Sequence, residues 1–345
     1  MKKVAVTMGD PAGIGPEIIV KAIASPEVGK CCAPIVIGNP FVMDEAVALL
    51  KHPLKLKIIR SPKDSKPARG IIEVIQVSQA PSQRSGIMRG AGKRRKERIG
   101  SEGFGKNKPT REGGRAAAGY IQKAVQLAST KQVYGIVTAP ISKEALKMAG
   151  LKWPGHTEML ADLTHTKDYA MMIIGGPLRV ILVTIHTALR NVPNLITRQR
   201  IVRVIRLAKK ACEMLGIRNP KIAVAGLNPH AGEKGIFGDE EIRKIIPAVR
   251  EATKMGIPVS GPYPPDSIFH KAYRGDVDII VSMYHDQGLI PLKMIAFEKG
   301  VNVTVGLPFI RTSPDHGTAY DIAWKGIADP SSMIEAIKLA AKLKA

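Results

Sequence analysis

The chain has 345 residues, 45% of them hydrophobic, and a formal net charge of +23 from 52 Lys and Arg against 29 Asp and Glu. That length suits two domains with a sizeable core, and no apolar run approaches the roughly 20 residues of a membrane-spanning helix. Three cysteines, Cys31, Cys32 and Cys212, with no Cys-x-x-Cys pair, exclude a disulfide framework and a thiolate zinc site and fit a reducing cytoplasm. The positive charge suits nucleic acid, anionic membrane or acidic small substrates, but aromatics at 4% leave few of the stacking side chains of single-strand binders.

In chain order, Val4–Thr7 reads as a first strand, because a signal peptide needs a longer apolar stretch. The turn Gly9-Asp-Pro-Ala-Gly13-Ile-Gly15-Pro-Glu17 reads as a flexible loop leading into a helix around Ile18–Ile23, with Pro16 suited to its first turn. Pro34–Gly38 reads as a strand, Phe41–Leu50 as a helix, Gly70–Val77 as a strand and Gly114–Ser129 as a helix. Further strands are expected at Tyr134–Thr138, Ala170–Ile174, Val180–Ile185, Lys221–Ala225, Val277–Met283 and Val301–Val305. Helices are expected at Thr197–Leu215, Glu240–Met255 and Ser332–Leu343. Alternating strands and helices with continuous apolar strands imply an α/β fold with largely parallel pairing.

The stretch 79–108 breaks this pattern. It is rich in Gly, Arg and Lys and has no periodicity, so it reads as a mobile loop or insertion. Residues 84–115 hold eleven basic and three acidic side chains, +8 of the total +23. A basic nucleic-acid patch is the alternative reading of this stretch.

Three strands finish on a histidine: Val180–Ile185 at His186, Lys221–Ala225 just before His230, and Val277–Met283 at Tyr284-His285. Ligands of open parallel sheets sit outside the carboxyl ends of strands, so the repetition points to one shared site. Three imidazoles bind a divalent ion well, and such an ion acts as a Lewis acid on a hydroxyl or carbonyl. Pro154-Gly-His156-Thr157-Glu158 reads either as a site turn or as a helix start capped by Thr157. Asp266, after two prolines, reads either as a reactive carboxylate or as a helix cap. Lys293, Asn302 and Arg311 could hold a phosphate or carboxylate, and Arg311 in the apolar run LPFIRTS suits bidentate contact. A Gly-x-Gly-x-x-Gly signature is missing at the first turn, where Ile18 stands in place of the third glycine, so a Rossmann cofactor site is not expected. Neither a Walker-type Gly-Lys-Ser/Thr nor a Gly-x-Ser-x-Gly elbow is present.

Taken together, MGDPAGIGPE, TAPISKEAL, PGHTE, IHTALR, GLNPHAGEKGIFGDEE, GPYPPDSIF, MYHDQGLIPLK and GLPFIRTSPDHGTAYDIAWKG resemble the 4-hydroxythreonine-4-phosphate dehydrogenase family in order and over nearly the whole chain. DYAMM, IAVAGLNPHAGE with FGDEE, PPD and DIAWKG look like its catabolic branch, which oxidises D-threonate or D-erythronate 4-phosphate. The resemblance implies the two-domain fold of isocitrate and isopropylmalate dehydrogenases, mostly parallel and not a Rossmann fold. It implies a terminal domain of residues 1–139 plus 300–345 on the cofactor side, a central domain of 140–299, and a site in the cleft between them. It assigns His186, His230 and His285 as ligands of a divalent ion (Zn, Mg, Mn or Co), drawn from both subunits of a homodimer. It assigns His156, Thr157, Lys293, Asn302 and Arg311 to the substrate and His316 and Asp321 to the adenosine half of NAD. An acidic group there favours NAD over NADP. Asp266 and Lys293 are the acid/base candidates. The link 79–108 departs from the family, which has a shorter and less basic connection.

The expectation is an NAD- and metal-dependent oxidation, with decarboxylation, of a phosphorylated hydroxy acid. The alternatives are 4-hydroxythreonine 4-phosphate on the route to pyridoxal phosphate, a cyclic dihydrodiol acid, or a nucleic-acid-binding protein.

Overall fold

The computed structural model describes residues 1–77 and 101–344, so most of the basic stretch lies outside the described residues. In chain order the first elements are β1 (Lys3–Thr7), α1 (Gly15–Ala24), α2 (Pro26–Cys31), β2 (Ala33–Gly38), α3 (Pro40–Leu49), β3 (Lys55–Ile59), β4 (Ile71–Gln76), α4 (Arg111–Ser129), β5 (Gly135–Thr138), α5 (Lys143–Met148) and α6 (His156–Leu163). Then follow β6 (Ala170–Gly175), β7 (Leu178–Leu182), α7 (Val192–Leu195), α8 (Arg198–Met214), β8 (Ile222–Ala225), α9 (Ile246–Lys254), β9 (Val259–Tyr263) and α10 (Pro265–Tyr273). The chain closes with β10 (Ile279–Ser282), α11 (His285–Ala296), β11 (Val301–Val305), β12 (Ile310–Pro314) and α12 (Ser331–Lys342). The described chain divides into two compact units.

The first unit comprises Met1–Val133, Thr138–Glu158 and His316–Pro330. Its strands run β3-β4-β2-β1, all parallel. The apolar strands β1 and β2 are buried almost throughout, as parallel strands covered on both faces must be. Asn39 starts α3 by accepting from the Phe41 and Val42 amides, with Pro40 at the first helical position. Thr110 starts α4: its hydroxyl accepts from Gly113 N and donates to Phe104 O at 2.7 Å. Gly114 on α4 faces the Ala145 carbonyl so closely that any Cβ would overlap it, which fixes how α4 meets α5.

The second unit comprises Tyr134–Val137, Met159–Asp315 and Ser331–Ala345. Its strands run β5-β12-β11-β6-β7-β10-β8-β9. Pairing is antiparallel at β12–β11, β11–β6 and β6–β7 and parallel elsewhere. The fold is therefore α/β with a large, mostly parallel sheet. A core of Ile173, Val180, Leu182, Ile268, Ile280 and Leu292 joins the strands to α10 and α11.

Several elements depart from the sequence reading. Strands β3 (KLKII), β9 (VSGPY) and β12 (IRTSP) were hidden because Lys, Gly, Pro and Ser break their apolar pattern. His285–Ala296 is a helix despite Gly288 and Pro291 within it. Gly288 is there for packing: a Cβ would stand 2.6 Å from Val180 Cγ1, so its absence lets α11 press against β7. Among the described residues no helix is long and apolar enough to cross a membrane.

Candidate active site

The parallel strands β7 and β10 continue their pairing beyond their regular ends. Val183 N donates to Ser282 O at 2.9 Å, Thr184 N to Met283 O at 3.1 Å, and the Thr184 hydroxyl to the same carbonyl at 2.7 Å. This extension delivers His186 and His285 side by side, with ring centroids 5.6 Å apart and planes tilted by 42°. Two imidazoles bound to one tetrahedral ion at about 2.1 Å per bond place their centres roughly 5 Å apart, so the pair fits a shared divalent ion. The next residue is an acid: Asp286 Oδ1 lies 2.7 Å from His285 Nδ1, the kind of partner that orients a ligating ring. Gln287 is buried behind them. Its Oε1 accepts from Met283 N and its Nε2 donates to Gly226 O, both at 2.7 Å, so one side chain ties the end of β10 to the end of β8.

His230 lies on an unusual turn after β8. His230, Ala231, Gly232, Glu233 and Lys234 all have φ between +40° and +79°. For the four non-glycine residues this left-handed backbone costs roughly 1–2 kcal/mol each, so the turn needs an external hold. Glu241 provides one. Its carboxyl, 1% exposed, accepts from Leu227 N at 2.7 Å, Asn228 N at 2.8 Å and Asn228 Nδ2 at 2.9 Å. Glu241 opens a single π-type turn, Glu241–Ile245, a feature frequent at functional sites. The His230 ring is exposed and lies 6.0 Å from that of Phe237. Among the described residues of one chain, no three His, Cys, Asp or Glu side chains form a group able to hold a metal ion.

Asn302 and Arg311 share one sheet face. Asn302 pairs with Ser313 across the antiparallel β11–β12 ladder, and Arg311 stands two residues from Ser313. The Arg311 guanidinium, 2% exposed, donates to the Thr304 hydroxyl at 3.0 Å. Among the described residues Asn302 Oδ1 is buried without a hydrogen-bond partner, an acceptor that a ligand donor would satisfy. Lys293 Nζ stands 3.5 Å from Asp315 Oδ2, one residue beyond β12, and 5.6 Å from the centre of the Phe297 ring. Asp266 is exposed in the first turn of α10.

The remaining candidates belong to the first unit. His156 opens α6 and Thr157 is its second residue, so Thr157 lies within the helix rather than capping it. His316 and Asp321 are exposed on the loop before α12. That loop is bound to the N-terminal turn, which is buried rather than flexible. Asp10 accepts from Tyr320 OH at 2.7 Å and from Ala12 N at 2.9 Å, and Ile14 N donates to Thr318 O at 3.0 Å. Burial raises the Asp10 carboxyl above the usual range against these two hydrogen bonds, and burial with the Asp10 charge raises the Tyr320 hydroxyl. Trp324 N and Gly326 N both donate to Glu17 at 2.6 Å. The described tail of the basic stretch joins here: Asn107 N donates to Ala12 O, and Lys106 Nζ lies 5.1 Å over the Trp324 ring. Asp10, Glu17, Gln287, Tyr320 and Glu241 were not singled out from sequence. Single polar residues carry no periodic signal, and the hydrogen bonds they make in the folded chain are what mark them.

Over 345 residues the chain is 46% identical to the D-threonate 4-phosphate dehydrogenase of Pectobacterium atrosepticum, covering 99% of both. It is also 46% identical to the 4-hydroxythreonine-4-phosphate dehydrogenase of Desulforapulum autotrophicum, over 98% of this chain and 94% of that one. The crystal structure of 4-hydroxythreonine-4-phosphate dehydrogenase from Klebsiella pneumoniae superposes with a TM-score of 0.86 at 43% identity, covering 99% of this chain and 98% of that one. The fold and these relatives define an α/β oxidoreductase of the dehydrogenase class. Residues 30–340 match the family model described as pyridoxal phosphate biosynthetic protein PdxA, and the chain belongs to that family.

Proposed function

We propose that the chain is an NAD-linked, divalent-metal-dependent dehydrogenase of D-threonate or D-erythronate 4-phosphate, oxidising the hydroxyl and releasing carbon dioxide from the resulting 3-oxo acid. The observation that carries the reading is the His186–His285 pair at two neighbouring strand ends, in a chain so similar to a D-threonate 4-phosphate dehydrogenase. His186, His230 and His285 hold the ion, and the set is completed between two copies of the chain. In support, Ile290 and Met294 on α11, the helix that His285 opens, and Phe297 just past its end are exposed at helical spacing, and Ile236 and Phe237 are exposed after the His230 turn, with the Phe237 ring 6.0 Å from that of His230. An apolar stripe of this kind suits a second copy. The working form in this reading is a cytoplasmic homodimer.

When bound, the ion supplies Lewis-acid polarisation of the substrate's hydroxyl and carboxylate oxygens, and NAD supplies the hydride acceptor. The protein's own part is positioning and proton transfer. Arg311 and Asn302, on one sheet face, hold the anionic and polar ends of the substrate together with Lys293, His156 and Thr157. The acid/base work falls to Asp266 and Lys293. His316 and Asp321 hold the adenosine half of NAD, where the exposed Asp321 carboxylate accepts from ribose hydroxyls. The second reading, oxidation of 4-hydroxythreonine 4-phosphate, is favoured by the Desulforapulum relative at equal identity.

The test is a substrate screen with metal analysis of the same sample. Purified protein with a divalent ion should reduce NAD on D-threonate or D-erythronate 4-phosphate faster than on 4-hydroxythreonine 4-phosphate. The reverse order selects the second reading, and no NAD reduction on any of the three overturns both.

A further inference from the structure

We infer that Glu241 is the positioning residue that holds His230 ready for the metal ion, an inference that rests on the metal reading above. The carboxyl occupies a cage that the chain builds for it. A Cβ on Gly226 would stand 3.1 Å from Glu241 Oε1, one on Gly232 2.6 Å from Oε2, and one on Gly238 2.5 Å from Asn228 Nδ2. Side chains at these three positions would crowd the carboxyl or its amide partner. Within the cage the two oxygens accept three N–H bonds from Leu227 and Asn228, the residues that lead into the His230 turn. Asn228 Nδ2 also reaches Glu240 Oε2 at 2.8 Å, so the turn is gripped by two successive acids. Buried and held by three N–H bonds, Glu241 is placed to position its neighbours rather than to react. It acts through His230.

The same cage is coupled to the other histidines. Gly226, at its floor, receives the Gln287 amide, and Gln287 in turn holds Met283, whose carbonyl binds Thr184. A continuous hydrogen-bonded path thus runs from Glu241 to the strand ends that carry His285 and His186. Partners that orient metal ligands commonly contribute 10–100-fold to metal affinity.

The experiment compares the wild-type full-length protein with Glu241→Ala, Glu241→Gln, Gly232→Ala and His186→Ala. Two quantities are read: zinc affinity against a competing chelator, and amide hydrogen exchange over residues 227–237 in the metal-free protein. Glu241→Ala should lower zinc affinity by about 10–100-fold and accelerate exchange across the turn. Glu241→Gln should restore much of both, because the amide oxygen still accepts from Leu227 and Asn228. Gly232→Ala, which intrudes on Glu241 without removing it, should move both readouts in the same direction and serves if Glu241→Ala does not fold. His186→Ala should lose zinc while leaving exchange at 227–237 unchanged. Wild-type zinc affinity in both Glu241→Ala and Gly232→Ala, or faster exchange with undiminished affinity, overturns the inference. If His186→Ala binds zinc like the wild type, the metal reading falls instead, and exchange alone then decides whether Glu241 holds the turn.

Discussion

The rings of His186 and His285 lie 5.6 Å apart, although the two residues are distant in sequence, because β7 and β10 are parallel neighbours and stay paired past their ends. His285→Ala and His186→Ala should each cut bound metal and lower kcat/KM by at least about 100-fold, more than the loss typical of an orienting partner. Metal analysis beside NAD-reduction assays checks this. Full metal content in both variants would remove the pair from the site.

Gln287 makes two buried hydrogen bonds that join separate strand ends. Gln287→Ala strands the Met283 amide and the Gly226 carbonyl, at about 1–3 kcal/mol for each unsatisfied group. Urea unfolding should show a loss of about 2–6 kcal/mol. A loss below about 1 kcal/mol, on the order of one net hydrogen bond, would mean that water replaces the side chain freely.

Arg311 offers a planar fork that lysine cannot reproduce. Arg311→Lys should raise KM for the phosphorylated substrate by about 10–100-fold, the worth of one charge-assisted contact, and change kcat less. Steady-state kinetics separates the two parameters. A fall in kcat at constant KM would place Arg311 in the chemical step instead.

Burial raises the Asp10 carboxyl above its ordinary range. The folded protein therefore keeps this proton to a higher pH than the unfolded chain does. The stability linked to that proton is complete below the ordinary carboxylate range and is lost as pH rises through the raised value, at about 1.4 kcal/mol per pH unit of that window. Asp10→Asn does not titrate, so it should gain on the wild type as pH rises from strongly acidic to neutral. Unfolding free energies of both proteins across that range give the comparison, and a constant difference would refute the assignment.

Met294 and Phe297 are 82% and 75% exposed on one face of α11 and just past its end. Met294→Glu should convert a dimer to monomers in sedimentation and lower metal content in parallel, because the ligand set is proposed to span two copies. Monomers that keep their full metal would confine the ion to one chain.

The parallel α/β layout was legible because its buried strands read as unbroken apolar runs, as β1, β8 and β10 do. The three histidines stand out as candidates because each follows such a run, and the structure brings two of them, His186 and His285, side by side. Strand β12 was not, since IRTSP has the composition of a loop and becomes a strand only between β5 and β11. Nor was α11, where Gly288 and Pro291 argue against a helix and only the close approach to Val180 explains the glycine. Glu241 and Gln287 stayed invisible for another reason: their importance lies in backbone groups they satisfy, and a sequence does not show which amides lack partners.

Helix α1 is tied to residues near the far end of the chain. Glu17 accepts from the amides of Trp324 and Gly326, and Lys21 donates to the carbonyls of Gly326 and Ala328 at 2.9 and 2.6 Å. These contacts join positions 305 to 309 residues apart. During synthesis, then, α1 is made some 305 residues before Gly326 and cannot engage it until the intervening chain has followed. The unit that carries α1 completes its folding late, and β1 and β2 wait with one helix only partly engaged.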